Sequence, residues 1–417
     1  MTRPRRVHVV GAGLAGLSAS LRLAEGGVGV VLHEAARQAG GRCRSYLDAT
    51  LGCRIDNGNH LLIAGNRAAM DYLRRIGAEG TLIGPDAALF PFLDLASGER
   101  WTVRPNPGRL PWWLLRPQRR VAGTRALDYL GGLRLLGAGP DAVVTDRLDP
   151  DSSLFRRFWQ PLAVAALNTE VEQAAAVLLL RALRESFGAG GAASRPLVPR
   201  DGLSESLIEP ALARLRALGA ELRFGSRLRA IEFAADRVAA LAFDEGGERL
   251  EPDEAVVLAV TAPVAARLVP DLVVPDEFRA IVNAHYRIAA PAGAPFFVGL
   301  VGGTSEWVFR KRDVLSVTIS AGDRLIDTPA DELAQRLWPE VCRAYALGEM
   351  ALPPWQIVKE RRATFAATPA QQRRRPSPAT RWHNLVLAGD FTDTGLPAWI
   401  EGAIRSGDRA AQRLLAA

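Results

Sequence analysis

The chain has 417 residues, too many for one small core and enough for two or three compact units. With 48% hydrophobic and 23% charged residues it is neither a disordered nor a collagen-like chain, and no apolar run is long enough for a membrane-spanning helix. Its net charge of +7 comes from arginines spread along the whole sequence, Lys311 and Lys359 being the only lysines, so no nucleic-acid partner is expected. Three cysteines, Cys43, Cys53 and Cys342, are odd in number and lack CxxC spacing; they point to reduced thiols in a cytoplasmic compartment and imply no metal site.

The first predicted element is the β-branched run Val7-His8-Val9-Val10, which leads into Gly11-Ala12-Gly13-Leu14-Ala15-Gly16. Leu14, Leu17 and Leu21 recur at helical spacing, so a buried parallel strand feeds a helix through a GxGxxG turn. That is a dinucleotide cradle: Gly11 for the tight turn, Gly13 for close approach of a diphosphate, Gly16 for helix–strand packing. A second apolar run ends at Glu34, about 20 residues on, where a carboxylate accepts hydrogen bonds from an adenosine ribose. Arg3, Arg5 and Arg6 before an apolar run imitate a signal peptide, but glycines inside the run and the second strand favour the fold.

Gly40-Gly41-Arg42 follows the second strand closely, beyond Ala35, in a way that a nicotinamide fold does not need. The segment resembles one that runs along the FAD diphosphate in a large class of flavoproteins, where the glycines admit close backbone approach and the arginine offers a fixed fork for phosphate oxygens. Next, Ile55-Asp56-Asn57-Gly58-Asn59-His60 reads as a strand entering a polar turn, with Gly58, Asn59 and His60 presented at the flavin edge. His60 is either a proton donor or a brace for its loop.

Residues 101–139 change character: Trp112, Trp113, Leu114 and Leu115 form an apolar knot among prolines, with Arg109, Arg116, Arg119 and Arg120 around it. Two readings stand, a membrane-interface segment over 107–137 and packing inside a substrate domain. Helices are expected over 151–187 and near 207–218, with strands at 221–224, 228–233, 238–243, 296–301 and 314–320. The run Val256–Thr261 returns to the parallel sheet, and the apolar strand ending in Ala388-Gly389-Asp390 closes it. Asp390 is placed to meet the ribityl chain. The helix starting near Ala398, Trp399 and Ile400 aims its amides at the flavin.

Taken together, GxGxxG with Glu34, Gly40-Gly41-Arg42, Ala388-Gly389-Asp390 and Glu401-Gly402-Ala403-Ile404-Arg405-Ser406-Gly407 resemble the FAD-dependent amine oxidase and phytoene desaturase superfamily over nearly the full length. Within it, Ile55–Leu62 and Gly395–Ala403 are most similar to the squalene-associated desaturase-like family of hydroxysqualene dehydroxylases. The resemblance implies an α/β fold: a Rossmann-like, glutathione-reductase-like FAD-binding domain over 1–98, 196–280 and 366–417, interleaved with an α+β substrate domain over 99–195 and 281–365. It implies a flavin site that includes Leu228 besides the residues above. It also implies a lipophilic polyprenoid substrate and an aromatic Trp399 beside the flavin. His60 and then Asp56 are the candidate proton donors, and Trp112, Trp113 and the nearby arginines, with a substrate that lives in lipid, point to peripheral membrane contact. The electron donor stays unassigned. Carotenoid-type desaturation, amine oxidation and a non-catalytic flavoprotein are the alternatives.

Overall fold

The strand Arg6–Val10 lies at the centre of a five-stranded sheet in the computed structural model, which describes residues 3–416. Its neighbours run Glu221–Phe224, Gly29–Glu34, Arg6–Val10, Glu254–Leu258 and Leu385–Leu387, all parallel. Alternation decides what each face covers. Val7 and Val9 enter a core with the helices Leu14–Glu25 and Ile400–Leu415; Val10 packs towards the antiparallel meander Leu228–Ala234, Arg237–Phe243 and Gly246–Arg249. The two helices touch backbone to backbone: a Cβ on Gly407 would stand 2.1 Å from the Ala15 carbonyl oxygen. The first and last helices thus pack on each other beside the cradle.

The second sheet has seven strands, in the order Trp355–Phe365, Phe278–Tyr286, Val314–Ile319, Trp307–Lys311, Phe297–Val301, Phe90–Asp94 and Arg100–Val103. One face is aliphatic and is covered by the amphipathic helix Ala330–Tyr345, through Leu333, Leu337 and Val341. The opposite face divides in two. Phe90, Phe92, Trp101, Phe297, Trp307 and Phe309 form an aromatic slab, whereas Asn283, His285, Ser316 and Thr318 make a polar strip on the paired strands.

The boundary drawn at residue 98 does not match this sheet, because Phe90–Asp94 pairs with Phe297–Val301 on one side and Arg100–Val103 on the other. Phe90 and Phe92 bury their rings in the slab, and that packing places the strand. The helical expectation over 151–187 holds in two pieces, Gln160–Leu167 and Ala176–Glu185. Asn168 ends the first in the left-handed region, at φ 48°, and its amide accepts from Ala321 N while donating to Thr364 Oγ1. Among the described residues no helix is long and apolar enough to cross a membrane.

Candidate flavin site

The glycine spacing of the first turn is explained atom by atom. Gly11 has φ +106°, and a Cβ there would meet the Ala259 carbonyl oxygen at 2.5 Å; on Gly16 it would meet the Gly11 oxygen at 1.9 Å. Those two glycines are required by the protein's own packing, with Leu14 and Ala15 buried between them at the helix start. Gly13 differs. Nothing lies within 4 Å of a Cβ built on it, and the nearest atom to one on Gly41 is Gly13 Cα at 3.6 Å. Open space over a helix N-terminus, roofed by two glycines, is the shape a diphosphate needs.

Glu34 closes the cradle: Oε2 accepts from Ala12 N at 2.8 Å and Oε1 from Ala36 N at 2.9 Å, joining the turn to the loop through Ala35. Each oxygen keeps a lone pair for a ribose hydroxyl. Leu228 is buried beside Val10, close to Ser226, whose amide donates to the Glu34 carbonyl. These residues fit the adenosine end of FAD.

Arg42 and Asp390, far apart in sequence, meet as expected. Their partnership differs from the expectation. The Nη2 of Arg42 reaches both Asp390 carboxylate oxygens, at 2.7 and 2.8 Å, and Nη1 donates to the Ala363 carbonyl. The guanidinium is therefore committed to a carboxylate instead of being a free fork for phosphate oxygens, because in this crevice each ion is the other's nearest countercharge. Sequence reasoning missed Arg375, which is buried and donates to the carbonyls of Asp390, Thr392 and Leu396 and to Thr394 Oγ1. It shapes the loop that carries Asp390 towards Ala398, Trp399 and Ile400. The Trp399 indole Nε1 donates to the Ala166 carbonyl at 2.6 Å, which fixes the ring at the start of the last helix.

Gly58, Asn59 and His60 stand against the polar strip. A Cβ on Gly58 would approach Asn283 Nδ2 to 3.2 Å, and Asn59 Nδ2 donates to Thr318 Oγ1, which donates on to Asn283 Oδ1. Burial, with Lys311 and Arg42 nearby and only Asp56 opposing them, drives the His60 pKa down to about 4. At neutral pH this imidazole is uncharged, so it offers a neutral N–H and not an imidazolium proton.

Asp56, expected as a second proton donor, is a structural anion. Its Oδ1 accepts from Ser45 Oγ at 2.6 Å and Leu203 N at 2.9 Å, and Oδ2 pairs with the Lys311 ammonium. Burial pushes its pKa up, but Lys311, the Leu203 amide and the Ser45 hydroxyl outweigh burial and hold it below the usual range. Lys311 was not singled out from the sequence. Its signal was there: a lysine kept where almost every other basic residue is arginine.

A separate cluster, His8, His33 and Glu248, brings three groups of metal-ligating type within 4.8 Å of one another. The two rings meet end-on. His8 Nδ1 and His33 Nε2 are 3.3 Å apart, and the ring centroids, at 5.6 Å, are separated by that distance plus one ring radius at each end. Nitrogens so aligned share a proton in an N–H···N bond, which tetrahedral ligands, converging at an angle, do not do.

The family model of flavin containing amine oxidoreductases matches residues 14–415. Among curated relatives, the chain is 52% identical over 416 residues to hydroxysqualene dehydroxylase of Rhodopseudomonas palustris and 48% identical over 413 residues to that of Sinorhizobium fredii, each covering 99% of both chains. A 15-cis-phytoene desaturase of an Oncidium hybrid cultivar is more distant, at 25% identity over 99% of this chain and 78% of that one. Among solved structures, putrescine oxidase bound to putrescine superposes with a TM-score of 0.70 at 15% identity, covering 99% of each chain, a likeness of fold. Matched by that family model over residues 14–415, the chain belongs to the flavin containing amine oxidoreductase family.

Proposed function

We propose that this flavoenzyme removes the hydroxyl group of a long polyprenoid alcohol, with hydroxysqualene as substrate and squalene and water as products. The observation that carries the reading is a buried, uncharged His60 whose neighbour Leu61 packs against the aromatic cluster of Phe90, Phe92, Phe297, Trp307 and Phe309. Apolar, aromatic surroundings for His60 suit an isoprenoid substrate. The hydroxysqualene dehydroxylases at 43% to 52% identity support the same substrate, against about 25% for a carotenoid desaturase.

FAD would be held by the cradle residues, Glu34 and the Asp390 loop, and in its reduced form would supply the two electrons and the hydrogen that end on carbon when the C–O bond breaks. The chain's own residues manage the departing oxygen and the positive charge. His60 donates a neutral N–H to the hydroxyl, and because it is uncharged it does not repel a cation. Trp399, anchored through Ala166, sets its indole at one side of the site. The oxygen leaves as water with a proton drawn from solvent. Localisation in this reading is cytoplasmic, with peripheral membrane contact through residues 107–137.

Anaerobic incubation of the holoenzyme with hydroxysqualene and a chemical reductant tests the reading by mass. The expected product has lost one oxygen and co-elutes with squalene, in proportion to flavin content. Unchanged hydroxysqualene, with desaturation of phytoene by the oxidised enzyme, would overturn it.

A further inference from the structure

Seven of the ten large hydrophobic side chains exposed among the described residues fall between positions 110 and 136, each 53% to 72% exposed. Leu110, Trp112 and Leu115 stand on short turns; Leu127, Leu130, Leu133 and Leu136 stand on the helix Ala126–Gly137. That helix is of the 3-10 type over 12 residues, far longer than such helices usually run. Three residues per turn stack its four exposed leucines in a single row. An α-helix of the same sequence would wind them around its axis.

The row is held rigidly. Trp113 meets Tyr129 edge to face at 5.6 Å, the Tyr129 hydroxyl accepts from Val121 N, and Arg120 donates to the carbonyls of Thr124 and Leu114. Gly132 lets the helix sit against Trp159, whose ring would lie 3.0 Å from a Cβ there. The two sequence readings of this segment therefore describe its two sides: Trp113, Tyr129 and Leu135 are core, and Trp112 with the leucine row is surface.

Charge selects the occupant. Residues 104–137 hold seven arginines and a single acidic residue, Asp128, whose carboxylate accepts from the Arg125 amide of its own turn. Leucines and an indole among arginines fit an anionic bilayer: the apolar groups enter the acyl boundary, and guanidinium stems reach the phosphates.

We propose that this row docks the enzyme on an anionic bilayer surface, and that the substrate passes from the acyl layer beside this segment towards His60. The inner residues of the same segment, Trp113, Val121 and Tyr129, belong to the cluster that reaches Leu61 beside His60. The transfer rests on the polyprenoid reading; the docking does not.

The test uses flavin-loaded protein, wild type and Leu127→Ser/Leu130→Ser/Leu133→Ser, in co-sedimentation with phosphatidylcholine vesicles with and without phosphatidylglycerol. Wild type is expected to bind the anionic vesicles, more weakly as salt rises, and the variant at least about tenfold more weakly, with unchanged flavin absorbance and melting temperature. Turnover by the variant should fall for hydroxysqualene dissolved in vesicles and persist for hydroxysqualene in detergent. Equal vesicle binding by both proteins overturns the docking, as does a concentration-dependent dimer that the variant abolishes without any vesicle binding. If both bind as expected but neither turns over substrate in detergent, docking stands and the polyprenoid reading falls with the transfer.

Discussion

The Asp56–Lys311 pair shows how one residue's role is set by partners distant in sequence. Asp56 has almost no solvent contact and Lys311 little, so removing one partner strands a charge. Lys311→Met is expected to cost about 3–5 kcal/mol in urea unfolding, and Asp56→Asn/Lys311→Met clearly less than that single change. Glu306 is the opposite case. Burial lifts its carboxyl to about 7, with the Ser320 amide and Arg324 opposing and Glu170 adding to the rise. Its folded pKa lies above its ordinary value of 4.5, so the folded state binds more protons, and stability is lost as pH rises from 4.5 through 7. Glu306→Gln should remove that loss: its melting temperature should exceed the wild type's at pH 8 and approach it at pH 5. Neither behaviour was legible in the sequence, where Asp56 is a turn carboxylate and Glu306 a loop residue. The Asp56 charge is held by Lys311, Leu203 and Ser45 and the Glu306 carboxyl is lifted by burial, surroundings that only the folded chain brings together.

At the scale of elements, the glycine turn was readable because its constraint is local and steric. The cradle at Gly11, Gly13 and Gly16 depends on backbone atoms a few residues away and on one neighbouring strand, so spacing alone identifies it. The structure separates the glycines by function. Gly16→Ala would press a methyl group against the Gly11 carbonyl and lift the helix Leu14–Glu25 from its strand, at a cost of about 2–3 kcal/mol. Gly13→Ala meets open space at φ −75°, which alanine adopts freely. It should leave thermal stability nearly unchanged while lowering the flavin retained through gel filtration, a split visible in absorbance against melting temperature. The segment 107–137 was half readable: its composition announced an apolar surface among arginines. Which tryptophan faces inward follows from the contact of Trp113 with Tyr129, itself packed on Trp159, beyond the reach of a local pattern.

Across the whole molecule, buried histidines set the acid limit. Burial lowers His33 to about 3 and His60 and His285 to about 4, and His8 is lowered by the same cause. Each folded pKa lies below the unfolded value of 6.5, so the unfolded state binds more protons and stability is lost as pH falls from 6.5 through 4. Urea midpoints measured over that range should decline with a slope corresponding to more than one proton, and His285→Gln should reduce the slope. The alternation of the two sheets was legible from apolar runs and glycine-aspartate ends. The placement of Phe90–Asp94 in the seven-stranded sheet was not, since its partner Phe297–Val301 lies some 200 residues later.

That long-range closure bears on how the enzyme is made. The strand Leu385–Leu387, Asp390 opposite Arg42, and the helix Ile400–Leu415 packed on Leu14–Glu25 all leave the ribosome long after the elements they close upon. The glycine turn is synthesised well before them, yet its crevice has no far wall until those later segments follow. Cofactor capture therefore waits for those segments, and a nascent polypeptide that has not yet reached Leu385 presents the cradle without the means to close it.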